Sequence, residues 1–288
     1  MKYTDFTLDQ LNSTDYKKIS NMFFELVKTK EEKEILESIL YEGGYKDFGF
    51  STHIGNRDNP QIEMQRRISM ANLFVQNPKS FDILQKNNIN IFHGTNANAL
   101  PSILKYGVNS YDESLEKGIY VTTGETSTRQ QGRSFISFTD VLDVAEDYST
   151  INSTKDDENL SFEVIIGTTK EEVKKIRTTI IRSDVPEIGI NKNLPKESIK
   201  LLGVPSSKVN YVKKIVNQQI EVIAIDNIKN KFYYVDDMGT IYFDQNRYQQ
   251  IKDQQKKEDK VFTLSELKEL IRNRLFKKNQ NEEEKTLW

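Results

Sequence analysis

The sequence predicts an α+β protein, and three observations carry that reading. Residues 5–42 and 62–87 repeat apolar side chains at helical spacing. From about 89 to 245 the texture changes to short β-branched and aromatic runs bounded by turn residues, with helical stretches between them. After 246 the pattern is helical again. These changes divide the 288 residues into a helical N-terminal lobe (1–88), a mixed core (89–245) and a helical C-terminal extension (246–288).

In the N-terminal lobe, Thr7 and Gln10 fit a capping box that opens a short helix. Ile19, Met22, Phe23, Leu26 and Val27 then share one helical face, as do Ile35, Leu36, Ile39 and Leu40. Gly43-Gly44 ends that run, and 45–60 reads as loop. A further helix covers 62–75 and ends near Pro78, with a shorter one over 79–87. No long linker follows, and the apolar faces at 19–27 and 35–40 need a partner. The lobe is therefore expected to pack beside the core rather than fold alone.

In the core, strands are expected at 89–94, 118–123, 134–139, 161–166, 220–225, 231–236 and 240–244. Asp237-Met238-Gly239 joins the last two as a hairpin. Helices are expected over 97–106, 140–149 and 169–177, and within 195–216. In the tail, Thr263 and Glu266 form a second capping box before the face Leu267, Leu270, Ile271 and Leu275.

Composition narrows the function. The formal net charge is -2, which supplies no global basic field for holding nucleic acid. Cysteine is absent, which excludes disulfides, thiolate nucleophiles and cysteine–zinc sites. The two histidines, His53 and His93, have no second histidine at i+4, so no metal centre is expected. No apolar run is long enough to cross a membrane. The opening "MKYTDFTLDQL" has no apolar segment of the signal-peptide kind, so any export is expected by a Sec-independent route.

Three stretches hold candidate chemistry. In "IFHGTNANALPSILKYGV" (91–108) an apolar run delivers His93, and Gly94 leaves the backbone beside it open to a flat ligand. The second comprises "KGIYVTTGE", with Tyr120, and "GRSFISFTDVLDVAEDYS", with Ser137 on a strand and Tyr148 on the following helix. The hydroxyl can orient a carboxylate, and a tyrosine face can stack on an aromatic ligand. In "VNQQIEVIAIDNI", Glu221 opens an apolar strand, where an inward carboxylate is costly unless paired or used. Gln219 falls on the same side. Each stretch also fits a plainer reading: a His satisfied by two hydrogen bonds, an ordinary strand Ser, a strand-edge Glu facing water.

In this order the stretches resemble the ADP-ribosyltransferase superfamily. "HGTNANALPSILKYGV" resembles the opening of the poly(ADP-ribose) polymerases, and "KGIYVTT" is similar to their Gly-Ile-Tyr-Phe-Ala segment. "FISFTDVLDVAEDYS" is similar to the Ser-Thr-Ser strand and helix of the bacterial toxins, and "QIEV" to the Gln/Glu-x-Glu motif with the catalytic glutamate. The pattern mixes the His of one branch with the Ser strand of another, so either Tyr120 or Ser137 supplies the middle residue, Ser137 being favoured by its attached helix. The RNA 2'-phosphotransferases also begin with His-Gly, but no His follows His93 here.

The resemblance implies a split, twisted β-sheet core around an NAD site. It also implies a mono-ADP-ribosyltransferase that uses NAD as substrate and needs no metal. Glu221 would be the catalytic carboxylate and Ser137 would orient it. His93, Gly94 and Thr95 would bind NAD, with Tyr120 or Tyr148 stacking on nicotinamide. Gln219, two residues before the glutamate, would face the acceptor and favour one other than arginine. The expected setting is a bacterial effector or toxin acting on a host protein, with ubiquitin and small GTPases both open as acceptors. An inactive NAD- or protein-binding module and an NAD glycohydrolase are the alternatives on the same fold.

Overall fold

The computed structural model describes residues 15–41, 60–119, 136–153, 162–176, 179–181, 187–190, 192–216, 219–236 and 239–258. The capping boxes at Thr7 and Thr263, the Gly43-Gly44 stop, Tyr120 with most of its strand, and Asp237-Met238 of the hairpin lie outside them. The chain divides into two compact units, Met1–Gln245 and Asn246–Trp288. In the second, residues up to Glu258 continue a helix that begins at Gln245.

Four helices come first. α1 (Tyr16–Leu26) buries Tyr16, Ile19, Phe23 and Leu26, one stripe at helical spacing. α2 (Lys30–Leu40) opens on a capping box. The Glu32 N–H donates to Thr29 Oγ1 at 3.1 Å and the Thr29 N–H to Glu32 Oε2 at 2.8 Å, satisfying two orphan donors. α3 (Pro60–Gln76) is buried around its whole circumference and packs on α1 and α2. α4 (Pro78–Lys86) starts at Asn77, whose side chain accepts from the Ser80 N–H.

The strands follow. β1 (Ile91–Asn96) leads through α5 (Leu100–Tyr106) and α6 (Tyr111–Glu116). β2 (Ile136–Phe138) runs into α7 (Leu142–Ser153), and β3 (Glu163–Thr168) into α8 (Lys170–Lys175). β4 (Thr179–Ile181), β5 (Ile188–Ile190) and β6 (Leu201–Val204) precede α9 (Val209–Ile215). β7 (Glu221–Ala224), β8 (Tyr233–Val235) and β9 (Ile241–Phe243) lead to α10 (Gln245–Glu258).

Among the described residues there is one four-stranded sheet of order β1-β3-β6-β7, a three-stranded sheet of order β2-β5-β4, and the β8–β9 ribbon. All pairings are antiparallel except β6–β7. Among the described residues the first two sheets meet at a single bridge. The Phe92 N–H donates to the Thr139 carbonyl at 2.7 Å, and the Thr139 N–H returns to Phe92 at 2.8 Å. Alternate strand residues from both sheets, including Ile91, Val164, Ile166, Ile136, Phe138, Ile188, Ile190 and Leu202, point into one apolar core. α7 covers the opposite face of β1 and β3.

Three local expectations are corrected. β1 does not stop at Gly94. It continues to Asn96 because β3 pairs with it from Ile91↔Thr168 through to Asn96↔Glu163. Residues 195–216 hold β6 before the helix α9, since Leu201-Leu202-Gly203-Val204 is a continuous apolar run buried on both faces with no period to reveal it. β4 and β5 were not expected from the sequence, each being three residues long.

Candidate active site

The seam between β1 and β2 is built from backbone alternation. Phe92 spends its N–H and C=O on Thr139, toward β2. Alternation along an antiparallel strand turns the N–H and C=O of Gly94 the same way. The next bridge of that ladder would join Gly94 to Ser137, but among the described residues the strands part after one bridge. The Ser137 carbonyl instead accepts from His93, whose Nδ1 lies 2.7 Å away. A carbonyl only accepts, so Nδ1 carries the proton and Nε2 keeps a free lone pair. Burial lowers the His93 pKa below its ordinary 6.5, against the opposing effect of the Ser137 carbonyl, and the ring is neutral at pH 7. It packs against Phe138, with ring centroids 5.3 Å apart.

Ser137 and Glu187 meet across the second sheet. Ser137 lies opposite Gly189 on β5, and Glu187 precedes β5 by one residue. They are diagonal neighbours on the face turned away from the apolar core, since Ile136, Phe138, Ile188 and Ile190 point into it. The Ser137 hydroxyl donates to Glu187 Oε1 at 2.5 Å, and both side chains are half-buried. A hydroxyl bonded to a carboxylate fixes its rotamer and holds one oxygen.

α7 closes the seam from the β1 side. A Cβ on Gly94 would stand 2.1 Å from the Ala145 carbonyl oxygen and 2.7 Å from the Ser149 nitrogen, so glycine is what lets the helix lie on the strand. The primary reason for Gly94 is thus helix packing. Tyr148 lies beside Gly94 on α7 with its side chain half exposed. α7 is anchored from behind by a charged cluster. Asp143 accepts from Ser69 Oγ at 2.8 Å and from the Tyr233 hydroxyl at 2.6 Å. The Lys231 ammonium lies 3.1 Å from Glu146, and burial lowers its pKa less than Asp143, Asp147 and Glu146 together raise it.

The expected residues divide. His93, Gly94 and Ser137 come together at the seam, with Tyr148 beside Gly94. Thr95 is buried in β1 opposite Val164. Glu221 does not join them. It starts β7, the far edge of the four-stranded sheet, in line with Leu201, Gly167 and Phe92 and exposed. Three interstrand steps separate β7 from β1, about 14 Å at the usual spacing. Ser137 therefore bonds Glu187, not Glu221, and Gln219 sits at that same outer edge. The contact with Glu187 was not expected because "PEIGI" is too short to read as a strand. Its signal was a carboxylate opening an apolar alternation downstream of the Ser137 strand. Among the described residues no group of His, Asp or Glu could hold a metal, and no helix is long and apolar enough to cross a membrane.

No family model matches the chain, and no curated protein matches it. Among solved structures, Thermosipho africanus DarTG in complex with ADP-ribose is similar with a TM-score of 0.33 and 11% sequence identity. The alignment covers 48% of this chain and 50% of that one, so the chain spans half the length of that structure. At that score the likeness assigns neither fold nor ligand.

Proposed function

We propose that the protein is an NAD-dependent mono-ADP-ribosyltransferase whose catalytic carboxylate is Glu187. The observation that carries this reading is the Ser137 hydroxyl bonded to Glu187 on a strand that parts from Gly94 and gives its backbone carbonyl to His93. A primary carboxamide needs one donor and one acceptor side by side, and the Gly94 N–H and C=O supply both. Tyr148 offers an aromatic face next to them.

The chemistry follows from these groups. The bond between nicotinamide nitrogen and ribose C1' breaks, and its electron pair leaves with nicotinamide, which becomes neutral. Positive charge develops on the ribose, as in glycoside hydrolysis. Glu187, held by Ser137, stabilises that charge, and a preorganised group of this kind is among the largest catalytic contributions. His93 Nε2, as acceptor, takes a hydrogen bond from a ribose hydroxyl. The acceptor's nucleophile then bonds C1' and loses its proton.

On this assignment the residue two before the carboxylate is Val185, not Gln219. It is no glutamate, so an arginine acceptor stays disfavoured on the family pattern, with a protein side chain as the expected acceptor class. The full chain with labelled NAD tests the reading. Release of labelled ADP-ribose or its transfer to protein, lost in Glu187→Gln and kept in Glu221→Gln, supports it. Turnover that survives Glu187→Gln sinks it.

A further inference from the structure

The strand that carries Ser137 is gripped by the N-terminal lobe. β2 is bonded to β1 at one bridge only among the described residues, through Thr139. The next residue, Asp140, accepts from Arg66 Nη2 of α3 at 2.5 Å. Arg66 Nη1 bonds Glu63, which also accepts from Arg67 Nε at 2.9 Å, and Arg67 Nη1 donates to the Leu40 carbonyl at 3.1 Å. One turn along α3, Ser69 bonds both the side chain and the backbone N–H of Asp143, in the first turn of α7.

Charge accounting explains why the grip is specific. Glu63 faces two guanidinium groups, so one positive charge on α3 is left to be balanced, and Asp140 balances it. Arg66, Arg67 and Glu63 are all nearly buried, where an unbalanced charge is costly. A planar fork can hold Glu63 with one nitrogen and Asp140 with another, which an ammonium cannot do with the same geometry.

We infer that Arg66 is a positioning residue for the site. Through Asp140 it sets the angle at which β2 leaves its single bridge, and so the placement of the Ser137 hydroxyl against Glu187 and of the Ser137 carbonyl against His93. This rests on the ADP-ribosyl-transfer reading of that site for its effect on turnover, but not for its effect on His93.

The test uses the full chain and two changes at the partner of Arg66. Asp140→Asn keeps the size and one acceptor oxygen. Asp140→Leu removes acceptor and charge. NAD turnover is measured together with the imidazole ¹⁵N signals, which are few because the chain has two histidines and His53→Gln assigns the other. Loosening a positioning contact shows mainly in kcat. We expect a fall of about threefold for Asp140→Asn and at least about tenfold for Asp140→Leu, with KM for NAD within about twofold. In Asp140→Leu the two His93 nitrogens move toward each other as the Nδ1–H bond loosens. Unchanged kcat in both variants, or His93 signals that stay fixed while kcat falls, overturns the inference. If Asp140→Leu does not fold, Asp140→Asn decides by the same two readings. If the wild-type chain turns over no NAD, the transfer reading falls and the His93 signals alone decide the grip.

Discussion

Two places in this molecule look alike in sequence and differ in the fold. At 186–190, "PEIGI" puts Glu187 at the start of a short apolar strand; at 220–225, "IEVIAI" puts Glu221 in the same position. β5 lies in the sheet with β2, and its glutamate takes the Ser137 hydroxyl. β7 lies at the far edge of the other sheet, and its glutamate is exposed. The local pattern that makes a carboxylate conspicuous says nothing about which strand becomes its neighbour. The glutamate of a three-residue strand meets Ser137, and the one on the longer edge strand does not.

The sharpest way to break this comparison is to remove each charge in turn. Glu187→Gln keeps the volume and should lower kcat for NAD turnover by about 10²–10³, the size seen when one preorganised electrostatic partner is lost. Glu221→Gln should leave it within about twofold, as a surface change away from the site does. Equal losses in the two would erase the distinction drawn between seam and edge.

Ser137→Ala comes next. A hydrogen bond to a charged group contributes about 1.5–3 kcal/mol, so losing the hydroxyl should cost at least about tenfold in kcat while Glu187 remains. A Ser137→Ala variant with wild-type kcat would show that Glu187 needs no orienting partner.

Glycines on the two strand sets offer a stability comparison. A Cβ on Gly94 meets helix backbone at 2.1 Å, whereas one on Gly203 of β6 meets side-chain atoms, the Ile225 Cγ2 methyl at 2.6 Å and Ile165 Cβ at 3.3 Å, which yield more readily than a hydrogen-bonded backbone. Gly94→Ala should therefore destabilise by about 3 kcal/mol and Gly203→Ala by about 1, within the range for overpacked cores. Chemical denaturation of both variants measures the order, and a reversed order contradicts the close packing of α7 on β1.

The smallest expected effect is with pH. His93 has its folded pKa below the ordinary 6.5 because burial opposes the charged ring. A neutral buried ring leaves the unfolded chain binding more protons in that range. The contribution of His93 to stability is complete above about pH 6.5 and is lost as pH falls through the folded pKa. Turnover should fall in that acid window too, since protonation removes the Nε2 lone pair. An NMR titration of His93 with its midpoint above 6.5 would contradict the neutral tautomer at the seam.

Much of the molecule was legible from residues alone. The amphipathic faces at 19–27 and 35–40 became α1 and α2, and the helix read at 62–75 became α3, although the buried Arg66 within it gave no hint of the charge it meets on Asp140. His93 stood out by its place where a strand meets a turn and Ser137 by the resemblance of its strand and helix to the Ser-Thr-Ser segment, and the structure sets the Ser137 carbonyl against the His93 ring. Periodicity needs several residues to be seen. It therefore could not show β4, β5 or β6, which have three or four residues each and hold the sheets together.

What the sequence by itself determined is local: the alternation of helix and strand, the His-Gly step at 93–94, and a serine on a strand that enters a helix. These follow from short-range sterics and from apolar spacing, which act along the chain. Which glutamate faces Ser137 was decided only by the tertiary structure. Strand order is settled by long-range pairing and by burial of the common apolar core, and no residue type at position 187 or 221 encodes its neighbours in space. The same holds for the parted seam, where the Ser137 carbonyl meets the His93 ring: that contact arises only once the strands are side by side.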